Sequence, residues 1–255
     1  MAVMTLLKAR PHPQPEELRE PTVPMIPDNV RIYAVGDIHG RLDLLTTLTE
    51  AIDEDMELHP GAHCVEVYLG DYVDRGPQSS GVIDALIERK GTREAVCLSG
   101  NHEAIVLEAL YSQEAFGRWL RMGGLETVLS YVRPAAGAKD ETRLWNEWRS
   151  AMSSEHVTFL RHLEASFMCG DYVFVHAGLR PGVAMEDQER QDMLWIRREF
   201  LDYPHSFGHF VVHGHTPIAT PEVLSNRINI DTGAYATGHL TCLVREGADR
   251  FLIAT

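Results

Sequence analysis

From Val30 onward the chain alternates short unbroken apolar runs with longer stretches in which apolar residues recur at helical spacing. RIYAV (31–35) predicts a strand, and Leu42, Leu45, Leu48 and Ile52, three or four residues apart, predict a helix. CVEVYL (64–69) predicts a second strand, and Val82, Ile83, Leu86 and Ile87 a second helix ending near Gly91. REAVCL (93–98) predicts a third strand, with a third helix opening over Glu103 to Leu110. The strand ends at Asp37, Asp71 and Asn101 are 34 and 30 residues apart, about one βαβ unit each. This repeat predicts crossover connections and a largely parallel sheet. Residues 111–168 read as helical and aromatic, and Trp119, Trp145, Trp148 and Phe159 read as core. A Gly-Ala-rich joint at Pro134–Ala138 divides that region. Strands return at YVFV (172–175), FVVH (210–213), RINI (227–230), HLTCLV (239–244) and RFLIA (250–254). Residues 1–29 hold six of the thirteen prolines and little periodicity, so they read as a loosely ordered arm before one domain, 30–255.

A chain of 255 residues with 44% hydrophobic positions suffices for one sizeable core. The net charge of −14 argues against nonspecific binding to nucleic acid or to an anionic membrane. It leaves room for a small anionic substrate, because bound cations invert the local potential. Cys64, Cys97, Cys169 and Cys242 are scattered with no C-x-x-C, so they read as reduced, mostly buried thiols. No apolar run reaches the ~18 residues of a membrane span. MAVMTLLKARPHPQ lacks a secretory core and cleavage signal. A soluble protein of the cytoplasm is therefore expected.

Polar clusters stand where five apolar runs end: GDIHG (36–40), GDYVDRG (70–76), GNHE (100–103), HAG (176–178) and HGHT (213–216). Ligands of crossover sheets bind beyond the carboxyl ends of strands, so five such ends predict one shared site. Any one cluster alone reads equally well as a turn or a core histidine. No cysteine is among them, which argues against structural zinc or iron–sulfur ligation. Carboxylate, imidazole and amide oxygen together suit Mn²⁺, Fe²⁺, Zn²⁺ or Co²⁺. Six potential ligands around a central Asp exceed what one open catalytic metal needs and fit two metals sharing a carboxylate.

Taken together, these motifs resemble the signature set of the phosphoprotein phosphatase family of calcineurin-like metallophosphoesterases, in family order over 36–216. MGGLET (122–127), LWIR (194–197) and IDTGA (230–234) are similar to its bacterial and phage members. The resemblance implies an α/β metallophosphoesterase fold: a central β-sandwich of mixed sheets flanked by helices, with a helical insertion around 111–168. It implies two divalent ions, manganese first and iron, zinc, cobalt or nickel as alternatives. Asp37 and His39 would hold the first, Asp71 both, and Asn101, His176 and His215 the second. His213 would lie outside that set. His102 would be the general acid, steadied by Asp74, while Arg75 and Arg197 would grip phosphate oxygens. Arg198 competes with Arg197 for that role, and Arg180 is a weaker candidate at the rim.

The activity so implied is hydrolysis of phosphomonoesters, foremost phosphoserine and phosphothreonine in proteins or peptides and then phosphotyrosine, by a hydroxide held between the metals. Small phosphomonoesters are further expected substrates. The alternative enzyme is a dinucleoside polyphosphate hydrolase of the diadenosine tetraphosphate type; Asp74 and Glu103 tilt the motif reading away from it. A metal-binding pseudophosphatase scaffold is the non-enzyme alternative, and it predicts a degraded metal or acid position, which the sequence lacks. The segment 111–168 and the loop 179–193 are expected to shape the approach to the metals. Glu186, Asp187, Glu189 and Asp192 read as a solvated face.

Overall fold

The computed structural model describes residues 23–133 and 140–255. The first sheet is built from β1 (Val30–Val35), β2 (His63–Tyr68), β3 (Ala95–Cys97), β9 (Thr241–Glu246) and β10 (Asp249–Ala254), in the order β10-β9-β1-β2-β3. β1, β2 and β3 run parallel, joined by α1 (Leu42–Leu58) and α2 (Ser79–Thr92) as the crossover pattern predicts. β9 and β10 add an antiparallel edge. The second sheet contains β4 (Ser166–Cys169), β5 (Tyr172–Val175), β6 (Phe210–His213), β7 (Glu222–Val223) and β8 (Arg227–Asn229), in the order β4-β5-β6-β8-β7. Its centre, β5-β6-β8, is parallel and both edges are antiparallel. The fold is therefore α/β with two mixed sheets.

The unbroken apolar runs follow from burial on both faces. In β1, Tyr33 and Val35 face the helices while Ile32 and Ala34 face the other sheet. In β5, Tyr172 and Phe174 fill the space between the sheets, whereas Val173 and Val175 pack outward. That outer face is covered by α8 (Arg190–Trp195) and α9 (Arg198–Leu201), through Met193 and Phe200.

The expected helical insertion is present as α4 (Gln113–Trp119), a segment kinked at Gly123 (Leu120–Gly124), α5 (Leu125–Tyr131), α6 (Glu141–Ala151) and α7 (Ser154–Arg161), following α3 (Asn101–Ala109). Trp119, Trp148 and Phe116 pack together in its core, with Trp119 and Trp148 ring centroids 4.9 Å apart. The joint at Pro134–Ala138 lies outside the described residues, as do residues 1–22 of the arm. Residues 23–29 depart from the expectation of a loose arm. Ile26 is buried between the sheets, its N–H donates to the Gly247 carbonyl (3.0 Å), and the Met25 N–H donates to Asp171 Oδ2 (2.8 Å). One apolar anchor and several backbone bonds dock a segment whose composition signals no regular structure. Among the described residues no helix is long and apolar enough to cross a membrane.

Candidate active site

All five polar clusters converge at the carboxyl ends of β1, β2, β3, β5 and β6. Of the six non-glycine residues with positive φ among those described, five lie here: His39 (47°), Asp71 (52°), Asp74 (72°), Arg75 (67°) and His215 (67°). Such conformations cost on the order of 1–3 kcal/mol each and persist where surrounding structure imposes them. Gly70 permits a close approach: at φ 105° a Cβ there would lie 2.6 Å from the Gly100 nitrogen and 3.0 Å from His176 Nδ1.

The buried carboxylate of Glu103 supplies much of the constraint. Its Oε2 accepts the N–H groups of Asp71 (2.9 Å) and Gly100 (2.8 Å), and its Oε1 those of Tyr72 (2.8 Å) and Val73 (3.3 Å). One side chain thus fixes the tip of the 70–73 turn against the start of α3. Burial, with Asp71 nearby, pushes this carboxyl up to about 7. The sequence offered Glu103 only as part of a motif, because three of its four backbone partners lie some thirty positions away.

Asn101, His176 and His215 come together. His176 Nδ1 donates to the Leu69 carbonyl (3.0 Å), which turns the lone pair of Nε2 inward. That atom lies 3.0 Å from Asn101 Oδ1 and 3.1 Å from His215 Nδ1, and the last two are 2.9 Å apart. Asp71 Oδ1 is 3.4 Å from His176 Nε2. Burial lowers both imidazoles, His215 to about 3, so each is neutral and ligand-competent. His215 Nε2 is buried with no partner. With the proton there, three lone pairs converge at Nδ1, Nε2 and Oδ1 with no hydrogen between them. That donor set fits a divalent cation.

His39 prepares the other half. Its Nδ1 donates to the Val73 carbonyl (2.8 Å), so Nε2 faces Asp71 Oδ2 at 3.5 Å. Burial lowers this imidazole to about 3. The Arg75 guanidinium stands 2.8 Å from His39 Nε2, a positive group where the lone pair calls for one. Asp37 lies apart from the tight donor groups His39–Asp71–His102 and Asp71–His176–His215. Its carboxylate accepts the His215 N–H (3.1 and 3.3 Å). Burial, with Asp231 and Asp71 close by, raises Asp37, and burial raises Asp231 to about 6. Asp231 comes from the IDTGA stretch, and its closeness to Asp37 was not read from sequence.

Asp71, at the centre, is held below the usual carboxylate range although burial opposes it; the surrounding histidines, His176 foremost, outweigh that penalty. His102 belongs to one tight donor group, yet its Nδ1 is committed to Asp74 Oδ2 at 2.5 Å. Burial works against its charge, but Asp71 and the hydrogen-bonded Asp74 hold it up, to about 9. A doubly protonated imidazole has no lone pair to give a metal. Its Nε2 faces inward, 3.9 Å from Asp71 Oδ2 and 3.2 Å from Arg75.

Arg197 acts on the opposite half, its charge contributing to the lowering of His176 and His215; Arg198 is not among the causes of either shift. Arg180, the weaker rim candidate, is held in ion pairs. It clamps Asp192 through two 2.6 Å bonds and Glu199 through one of 3.0 Å. Asp192 is accordingly buried rather than part of a solvated face. His213 ends β6 packed edge-on to Phe200, centroids 4.9 Å apart, and is not a member of the donor groups. Two aromatic residues passed over in the sequence flank the centre. Tyr235 lies beneath Arg75 (4.7 Å) and edge-on to His39 (5.4 Å), and Trp195 is edge-on to His215 (6.4 Å).

The sequence pattern of calcineurin-like phosphoesterases matches residues 30–242. The bis(5'-nucleosyl)-tetraphosphatase PrpE (asymmetrical) of Anoxybacillus flavithermus is 29% identical over 228 residues, covering 82% of this chain and 88% of its own. That of a Geobacillus species is 27% identical over 235 residues, covering 83% and 89%. Among solved structures, a protein described provisionally as a diadenosine tetraphosphatase superposes with a TM-score of 0.61 at 21% identity, over 89% of this chain and 98% of that one. A cold-active protein-tyrosine phosphatase of Shewanella superposes at 0.53 and 16%, over 93% and 84%. At those identities the structural matches speak for the fold. With five strand ends delivering metal-competent donors around Asp71, and a family pattern spanning most of the sequence, the chain belongs to the calcineurin-like phosphoesterases, a family of metal-dependent hydrolases.

Proposed function

We propose that the protein hydrolyses dinucleoside tetraphosphates, cleaving the polyphosphate chain off-centre. This revises the emphasis of the motif reading, which placed phosphoprotein substrates first. The observation that carries the revision is the groove of about 510 Å³ beside the metal-competent centre, lined by Trp195, Ile196 and Arg197 among others. It pairs a stacking surface for a base with a guanidinium for the phosphate chain. Relatives that match this chain over more than four-fifths of its length carry the tetraphosphatase name, which supports the same reading.

Asp37, His39 and Asp71 would hold one divalent cation, and Asp71, Asn101, His176 and His215 a second. When bound, such a pair supplies an activated water and neutralises phosphate charge. The chain's own groups do the rest. Arg75, on the His39–His102 side, and Arg197, on the His176–His215 side, bind non-bridging oxygens and fix the phosphorus between them. His102 gives the proton on Nε2 to the departing oxygen, while Asp74 holds Nδ1–H and with it the ring orientation.

A second reading, hydrolysis of phosphoserine and phosphothreonine in proteins, draws support from the 2.5 Å contact between His102 and Asp74. An alkoxide leaves only with a proton, whereas a polyphosphate leaves readily without one. The His102–Asp74 pair therefore weighs toward this second reading, as the groove weighs toward the first. The test compares kcat/KM on diadenosine tetraphosphate and on a phosphoserine peptide, with Trp195→Ala alongside. Base stacking is worth about 1–3 kcal/mol, so the variant should lose roughly 5- to 150-fold on the dinucleotide and little on the peptide. Faster wild-type turnover of the peptide, or equal losses on both substrates, would overturn the dinucleotide reading.

A further inference from the structure

The helical segment around Trp119 and Thr127 was expected to shape the approach to the metals. It also makes contacts behind the His102–Asp74 pair. Asp74 is fully buried, and its carboxylate accepts three bonds from three different elements. Trp119 at the end of α4 donates its indole N–H to Oδ2 (2.8 Å), the same oxygen that holds His102 Nδ1. Thr127 in α5 donates its hydroxyl to Oδ1 (2.6 Å) and accepts the Asp74 backbone N–H (2.8 Å). Ser79, at the start of α2, accepts that N–H as well (3.1 Å) and bonds to Thr127 Oγ1 (2.9 Å). The hydroxyl and the indole N–H thus clamp opposite oxygens of one carboxylate, fixing the plane in which it meets the imidazole.

The chain kinks sharply at Gly123 between the two helices. Gly123, at φ 104°, points its carbonyl at the Arg75 N–H (3.0 Å). At Gly124 a Cβ would lie 2.4 Å from the Trp119 ring and 2.6 Å from its Nε1, so any side chain there would push the indole off Asp74. Gly123 breaks the helix between Trp119 and Thr127, so the two donors reach one carboxylate from separate helices.

We infer that Trp119 and Thr127 are positioning residues that orient the Asp74 carboxylate, and through it the His102 imidazole, for proton delivery to the leaving group. The role matters for any phosphoester whose leaving group needs a proton. Trp119 reaches the centre through its indole N–H bond to Asp74, the partner of His102. A fully buried carboxylate must have its lone pairs matched, since each unmatched one costs about 1–3 kcal/mol. The pattern of matches here serves orientation as well as stability, because the two added donors hold opposite oxygens of the carboxylate that meets His102.

The test uses Trp119→Phe, which keeps an aromatic ring against Phe116 and Trp148 but deletes the indole N–H, together with Thr127→Val and Thr127→Ser. His102→Asn is the reference. Each is assayed for bound Mn²⁺, thermal midpoint, and kcat and KM on phenyl phosphate and p-nitrophenyl phosphate. The expected result for Trp119→Phe and Thr127→Val is a kcat roughly tenfold lower on phenyl phosphate, a fraction of the 10²–10⁴ that an acid contributes. KM, Mn²⁺ content and turnover of p-nitrophenyl phosphate, whose leaving group needs little protonation, should stay within about twofold. Thr127→Ser should restore the loss. Equal loss on both esters, or loss of Mn²⁺ in step with activity, would reduce the two residues to structural filler. If His102→Asn shows the leaving-group dependence and Trp119→Phe does not, the inference fails alone. If His102→Asn shows none, the acid role itself fails and this inference with it.

Discussion

Glu103→Gln tests how the central turn is held. In the wild type both carboxylate oxygens face backbone N–H donors, two apiece. An amide keeps one acceptor and replaces the other by an NH₂ that confronts two donors. The less costly orientation keeps the carbonyl toward Asp71 and Gly100 and sacrifices Tyr72 (2.8 Å) and Val73 (3.3 Å). Bonds to a charged acceptor contribute about 1.5–3 kcal/mol each, and the long Val73 contact contributes less, so the loss is about 2–4 kcal/mol. For a chain of this size 1 kcal/mol shifts the midpoint by about 2–4 °C, which gives a fall of roughly 4–16 °C. The assay is thermal unfolding of the metal-free protein at pH 8, where Glu103 is ionised. Because the Asp71 N–H shares the same carboxylate, the variant should also bind Mn²⁺ more weakly by calorimetric titration. A midpoint within about 1 °C of wild type, with unchanged Mn²⁺ affinity, would refute the assignment of Glu103 as the strut of this turn.

Asp71→Asn should bind less than one Mn²⁺ per chain where the wild type binds two, since it weakens the ligand common to both positions; unaltered stoichiometry on metal analysis would exclude a shared carboxylate. His102→Asn should retain both ions and lose about 10²–10⁴ in kcat on a phosphoserine peptide. Its loss on diadenosine tetraphosphate should be far smaller, and single-turnover measurements on each separate chemistry from release. Mn²⁺ at a hundred times its dissociation constant should stabilise the protein by about 2.7 kcal/mol, read as a midpoint shift that a chelator reverses. Ile26→Ala should cost about 2–5 kcal/mol in urea unfolding, because it empties a buried position between the sheets; a neutral result would return residues 23–29 to a dispensable arm.

The strands were legible wherever both faces are buried, as in VRIYAV and YVFV, because a short unbroken apolar run admits few other readings. β4 and β7 escaped notice for the opposite reason. SFMC sits at an edge with Met168 half-exposed, and β7 is two residues long. The metal-competent residues were legible because each stands just past a strand, where chain geometry forces convergence. What could not be read are contacts made by chemically ordinary residues across long separations. A tryptophan buried in a helix reads as core, and Trp119 does pack as core, yet its indole N–H serves a carboxylate 45 positions earlier. Asp192 reads as surface in an acidic loop until Arg180 folds over it. Ile26 is one apolar residue in a proline-rich stretch, too little for periodicity but enough to dock.

The charge around Asp71 explains why a chain this acidic can still serve an anionic substrate. Five carboxylates, Asp37, Asp71, Asp74, Glu103 and Asp231, face three cationic groups, His102, Arg75 and Arg197. Asp37 and Asp231 respond by rising, and Glu103 rises with them. Fully ionised, the set carries an excess of two negative charges, which would repel phosphate. Two divalent cations would displace the retained protons and turn that excess into two positive charges, the complement of a phosphate monoester dianion. The same arithmetic constrains variants. Neutralising Asp231 adds a third uncompensated positive charge without touching His102 or the convergent lone pairs of His176 and His215. Asp231→Asn should therefore bind the first Mn²⁺ equivalent more weakly and inorganic phosphate, as a product inhibitor, more tightly. Weaker phosphate inhibition in that variant would show that local geometry, rather than summed charge, governs how this centre meets its substrate.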